Sequence, residues 1–155
     1  MHAQQLRIMI QDIVKQATEL KNKHVGDRQE RVNYACIFSQ SQEEYHDLVG
    51  SANNIGKVIQ EMANGFLFHI DPLETVSGPL KLLKIRMPDV TRPERGDADF
   101  TVTDYAAFKS TYISQQGFKL MKKREDFEML ELMDPAFTVR AYFSDPPLDK
   151  QLGIN

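Results

Sequence analysis

The chain has 155 residues, 41% of them hydrophobic and 26% charged, with a net charge of −3, an ordinary balance for a globular chain long enough to bury a core. Lysines and arginines are scattered among the acids, which argues against nucleic acid or an anionic membrane as the main partner. The single cysteine, Cys36, excludes an intrachain disulfide, and with no apolar N-terminal run suited to a signal peptide or a membrane span the chain reads as cytoplasmic.

Residues 4 to 24 carry Leu6, Ile10, Ile13, Ala17 and Leu20 at spacings of four and three, which predicts an amphipathic helix docked on the domain rather than a partner helix. "VNYACIFS", Val32 to Ser39, predicts a strand from its β-branched and aromatic content. Ser41 with Glu44 three residues on forms a capping-box signature. It opens a helix whose stripe is Tyr45, Leu48, Ala52, Ile55, Ile59 and Met62, closed by Asn64-Gly65. "GFLFHID" and "LKLLKIRM" follow as strands, the second placing Leu83, Ile85 and Met87 on one face and Leu82, Lys84 and Arg86 on the other.

"PDVTRPERG" is a Pro-rich, charged connector. "DADFTV" then reads as a strand, and Thr103 or Asp104 caps a helix with Tyr105, Phe108 and Tyr112 on its buried face, ended by Gly117. "FKLMKKRE", "FEMLELMD" and "FTVRAYFS" read as three strands with turns at Glu125-Asp126 and Asp134-Pro135, and "DPPLDKQLGIN" as a Pro-rich tail. "KKRED", Lys122 to Asp126, is a solvated hairpin.

The two halves rhyme. "LLKIRMPD" matches "TVRAYFSD", setting Lys84 over Arg140 and Arg86 over Tyr142, and "NYACIFS" matches "DADFTVT", setting Asn33 over Asp97. The expectation is an internally duplicated βαβββ unit with a period near 60 residues. A single domain over 1–155 divides into an N-terminal helix (1–28), a first module (30–90) and a second (94–148). The fold class is α+β, two βαβββ modules forming one curved, mixed or antiparallel sheet with the helix added. With both modules in one chain, its cup needs no dimer, and the chain reads as a monomer or a homodimer.

A paired βαβββ module resembles the vicinal oxygen chelate superfamily of glyoxalase I, bleomycin-resistance proteins and extradiol dioxygenases, in pattern most like the bacterial YecM-like proteins. The stretches that carry it are "VNYACIFS", "LLKIRMP", "RPERGDADFTV" and "FTVRAYFSD". The resemblance implies a divalent metal on the concave face, held by His or Glu from the first and last strand of each module. Laid on this chain, the four positions fall on Asn33, Arg86, Asp97 and Tyr142, with Tyr34 as the alternative to Asn33. Asn and neutral Tyr are poor ligands for a transition metal, and Arg offers no lone pair. The expectation is therefore a cup without the metal or any other cofactor, where Asp97 and Arg86 form an ion pair.

The cup-facing set comprises Asn33, Lys84, Arg86, Asp97, Asp99, Arg140 and Tyr142, with His69 also able to look in because it alternates with Phe68 and Ile70. Two readings stay open. In one, Arg86, Lys84 and Arg140 hold a small polar or anionic molecule and Asp97 a hydroxyl or amine. In the other, a divergent enzyme uses Asp97, with Asp99 or His69, in acid/base work or with a loosely held metal. His2, His24 and His46 have no partner spacing for a metal cluster. Cys36 reads as a buried, inert thiol packed against the helix. No G-x-S-x-G, Walker or dinucleotide fingerprint is present.

Overall fold

The computed structural model describes residues 1–26 and 29–154, with side chains throughout except at residues 122 and 123. Helix α1 (Ala3–Val25) is followed by β1 (Arg31–Phe38), α2 (Gln42–Ala52), β2 (Gly56–Met62), β3 (Gly65–Thr75) and β4 (Gly78–Arg86). The second half runs β5 (Gly96–Thr101), α3 (Tyr105–Tyr112), β6 (Phe118–Arg124), β7 (Phe127–Leu132) and β8 (Val139–Asp145), and ends in one turn of helix, α4 (Leu148–Gln151). The expected boundary at residue 28 lies outside the described residues.

The strands form one eight-stranded sheet in the order β2-β3-β4-β1-β5-β8-β7-β6. Within each half the first and last strands pair in parallel, β1 with β4 and β5 with β8, and the halves join through the antiparallel pair β1–β5. This is the curved α+β sheet of two βαβββ modules expected from the duplication, with the added N-terminal helix.

The predicted stripe of α1 forms because five apolar residues at helical spacing must leave water together. Leu6, Ile10, Ile13, Ala17 and Leu20 are all at most 1% exposed, and the helix lies across β8, β5 and β1. Gly26, at φ 83°, closes it by donating its N–H to Asn22 O at 3.0 Å, a conformation that favours glycine. α1 thus docks on the sheet, as expected. Ala35, Ile37, Leu83, Ile85, Ala98, Phe100, Ala141 and Phe143 form the sheet side of that core. The opposite, concave face is left to the site.

Three local predictions meet the structure differently. At α2, Ser41 Oγ accepts the Glu44 N–H at 3.1 Å, but Glu44 reaches back to Gln40 N–H at 2.8 Å rather than to Ser41. Glu44 also takes both Arg95 Nη atoms, at 2.9 and 3.0 Å, tying α2 to the start of β5. The helix does not continue to Asn64-Gly65. It stops at Ala52, and Ile59 and Met62 stand 36% and 37% exposed on the edge strand β2. Gly65 pairs with Met62 across the Ala63-Asn64 turn, so the Asn-Gly dipeptide marks a hairpin, not a helix end. Gly65 also pairs with Arg86 on its other side. Its φ is 150°, and a Cβ there would stand 2.0 Å from Ile85 O.

Candidate functional site

The concave face encloses a cavity of about 590 Å3, within the range that holds small organic ligands. Its floor comes from the four central strands: Tyr34 and Cys36 of β1, Lys84 and Arg86 of β4, Asp97 of β5, Tyr142 and Ser144 of β8. Arg92 enters from the connector between β4 and β5, and Leu148, Gln151 and Leu152 from the C-terminal turn. The outer hairpins supply Leu67, Met121, Phe127 and Met129.

Strand pairing sets the floor. Cys36 lies opposite Asp97 on one side and Lys84 on the other, and Asp97 lies opposite Arg140, with Asp99 opposite Tyr142. The buried groups are unevenly satisfied. Tyr142 donates its hydroxyl to Glu131 Oε2 at 2.6 Å and accepts from Arg92 Nη1 at 3.2 Å. Arg140 is fully engaged, with Glu94 at 2.9 Å, Glu131 at 3.3 Å and Thr91 O at 3.1 Å. By contrast, Asp97 Oδ1 and Arg86 Nε are buried with no hydrogen-bond partner. Lys84 is 8% exposed, and its ammonium has no hydrogen-bond or ion-pair partner among the described residues.

Desolvation shows in the protonation equilibria. Burial raises the Asp97 carboxyl to about 7, although Arg92, Lys84, Arg86 and Arg140 all pull it down. Asp99, wholly buried, is raised to about 8 by burial, against a short hydrogen bond from Ser144 and with Asp97 adding to the rise. Burial lowers Lys84. It raises the Cys36 thiol, with Asp97 as the second cause.

The predicted residues separate into three groups. Lys84, Arg86, Asp97 and Tyr142 converge on the cavity. Asn33 and Asp99 lie together but do not line the cavity; Asn33 Nδ2 donates to Asp99 at 3.3 Å and Asn33 Oδ1 accepts the Leu148 N–H at 3.1 Å. Arg140 and His69 do not line the cavity. Arg140 spends its donors on pinning the connector, and His69 sits half-buried on β3, paired with Lys57 and Leu82.

Two expectations need correction. Arg86 does not pair with Asp97; its nearest carboxylate is Asp89, at 3.5 Å. Cys36 does not pack against the helix. The β1–β5 ladder shifts register between Val32 and Tyr34, and this bulge turns Tyr34 and Cys36, rather than Asn33, into the cup. It also makes Cys36, not Asn33, the counterpart of Asp97.

Sequence reasoning missed Arg92, whose guanidinium also lies over the Phe38 ring at 5.5 Å, because a loop residue carries no periodic signal. It also missed the C-terminal turn, since "PPLDKQL" reads as a breaker-rich tail.

A divalent metal does not fit this floor. Its donors are one carboxylate, a thiol of raised pKa, two tyrosine hydroxyls and a serine hydroxyl, facing three cations. Among the described residues no three of His, Cys, Asp and Glu converge, and a guanidinium or ammonium close by repels a dication. The arrangement can instead offer an ammonium, a guanidinium N–H and a protonatable carboxyl to an acceptor-bearing molecule.

The fold is similar to that of a solved structure described as "Structural Genomics, Protein EC4020", at TM-score 0.72 and 12% identity over 97% of this chain and 91% of that one. A glyoxalase/bleomycin resistance protein/dioxygenase superfamily member from Vibrio splendidus 12B01 aligns at TM-score 0.42 and 12% identity, over 74% of this chain and 97% of the other. Methylmalonyl-CoA epimerase from Mycobacterium tuberculosis aligns at 0.40 and 13%, over 74% and 86%. No family model and no curated protein matches the chain. At these identities the likeness concerns the fold alone. Among the described residues no helix is long and apolar enough to cross a membrane.

Proposed function

We propose that the protein is a metal-free, glyoxalase-like small-molecule-binding protein, a divergent cytoplasmic relative of the vicinal oxygen chelate superfamily close to the YecM-like proteins, whose cup takes a polar or anionic ligand. One observation carries this reading: Lys84, Arg86 and Asp97 line a cavity of ligand size, where the Lys84 ammonium has no partner among the described residues and Arg86 Nε and Asp97 Oδ1 are buried without one. Each buried group left unpaired costs about 1–3 kcal/mol. A ligand bearing acceptors for the cations and a partner for Asp97 removes that cost, so the floor is poised for an occupant. Its ligand engages Arg86 and Lys84, whereas Arg140 serves the scaffold.

The test is calorimetric titration with small anions, supported by elemental analysis of protein purified without added metal. Binding is expected, and Arg86→Ala weakens it without unfolding the chain. A transition metal at one per chain, or binding indifferent to Arg86→Ala, overturns the reading.

A second reading rests on the raised pKa of Asp97 inside the cavity. A carboxyl that titrates near neutrality is suited to general acid/base work, with Asp99 behind it. Under this reading Asp97→Asn abolishes turnover of a substrate while leaving the fold intact.

A further inference from the structure

The cup has two chemically distinct parts. The central strands and the connector give it a floor of Lys84, Arg86, Arg92 and Asp97, while the outer hairpins and the C-terminal turn give it walls of Leu67, Met121, Phe127, Met129, Leu148 and Leu152. The polar wall residues Gln60, Asn64, Arg124 and Gln151 are all half-buried or exposed, whereas Leu67 and Met129 are 1% and 8% exposed. A wholly polar ligand would leave this apolar wall facing water.

The floor also has a definite charge. Arg86 and Arg92 share Asp89, at 3.5 and 3.9 Å. Against three cations stand Asp89 and Asp97, so with Asp97 ionised one positive charge is unneutralised. The ammonium of Lys84 is the cation with no partner. A head group with one negative charge and two acceptor oxygens matches the Lys84 ammonium and the Arg86 guanidinium, which line the cavity together. A dianion would bring excess charge against Asp97 and Asp89. The methionines in the wall are unbranched and adapt to irregular shapes, which suits an apolar body of variable outline.

We propose that the cup binds monocarboxylates carrying an apolar body, the carboxylate on Lys84 and Arg86 and the body between the two outer hairpins beneath the C-terminal turn. This inference rests on the proposed function and names the ligand class for the same cavity.

The experiment is calorimetric titration at fixed pH with acetate, butanoate, hexanoate and octanoate, with 1-octanol, octylammonium and inorganic phosphate as comparators. Wild-type protein and the variants Lys84→Met and Phe127→Ala are compared, each checked for folding by circular dichroism. Affinity is expected to rise about fourfold per added methylene until the cavity fills. Octanol and octylammonium bind at least tenfold more weakly than octanoate. Lys84→Met removes the advantage of octanoate over octanol, and Phe127→Ala lowers octanoate affinity several-fold while leaving acetate unchanged.

Affinity that does not depend on chain length, octanol binding as tightly as octanoate, or a chain-length gradient untouched by both variants overturns the inference. If acetate or phosphate binds and Lys84→Met weakens it while chain length has no effect, this inference fails and the proposed function stands. If no anion binds, both fail.

Discussion

Lys84→Met should make the protein more stable while weakening carboxylate binding. The side chain is 8% exposed, and no carboxylate lies within ion-pair distance of its ammonium among the described residues. An unpaired buried ion costs several kcal/mol when fully desolvated, and less here because the ammonium faces a cavity. Methionine keeps the length and the packing of the stem while deleting the charge. The expected gain is about 1–3 kcal/mol, or about 2–4 °C in Tm per kcal/mol for a chain of this size. Urea unfolding at pH 6 is the cleanest assay, because Asp97, raised to about 7, is then mostly neutral and attracts Lys84 little.

The sign of the pH dependence follows from the lowered pKa of Lys84. Between that value and the unfolded value near 10.5 the unfolded chain binds more protons, so wild-type stability rises with pH there. The advantage of the variant is therefore full below the folded pKa of Lys84 and fades as pH rises from there toward 10.5. A loss of more than about 1 kcal/mol in Lys84→Met at pH 6, or an advantage that grows with alkalinity, refutes the reasoning.

Asp97 works in the opposite sense. Its folded pKa lies above the unfolded value of 3.8, so the folded state binds more protons between pH 4 and about 7 and stability falls as pH rises through that window. Asp97→Asn should flatten the fall, leaving the part due to Asp99, which extends to about 8; identical slopes in urea melts from pH 4 to 8 would contradict this. Arg140→Met should destabilise by about 3–5 kcal/mol, because it strands the buried Glu131 carboxylate, and a neutral effect in the same melts would show that Glu131 finds another partner. Gly96→Ala should cost about 2–3 kcal/mol, since its Cβ would stand 2.2 Å from Cys36 O and 3.1 Å from Ile13 Cδ1; a thermal melt unchanged from wild type would mean that β1 and β5 part without cost.

The sequence displayed the architecture where periodicity is strong and hid it where one pattern fits two structures. The stripe of α1 and the two rhyming halves were legible because each apolar face is buried in full. β2 was not, since Leu48, Ala52, Ile55, Ile59 and Met62 also satisfy helical spacing. What ends the helix is local turn chemistry at Asn53-Asn54, and what makes a strand of 56–62 is pairing with β3. In the site, Lys84, Arg86 and Asp97 lie where strand alternation put them, and Tyr142 where the resemblance to the superfamily put it. The facing of Cys36 was not, because a one-residue bulge inverts alternation and leaves no compositional mark. Arg92 and the C-terminal turn reach the cavity through loop paths that no period encodes.

The duplication allows Gly65 to be compared with its counterpart. When Arg86 is matched to Tyr142 through the two parallel pairs, the residue bridging Tyr142 on β7 is Glu131 and the residue bridging Arg86 on β3 is Gly65. One repeat carries a counter-ion where the other carries no side chain at all. At Gly65 the backbone, with φ at 150° and Ile85 O 2.0 Å from any Cβ, also bars a carboxylate from arriving by a single substitution. The open ammonium of the first repeat is thus protected from being neutralised by mutation at a place where the second repeat carries a carboxylate, and the vacancy is written into the main chain rather than left to a side chain.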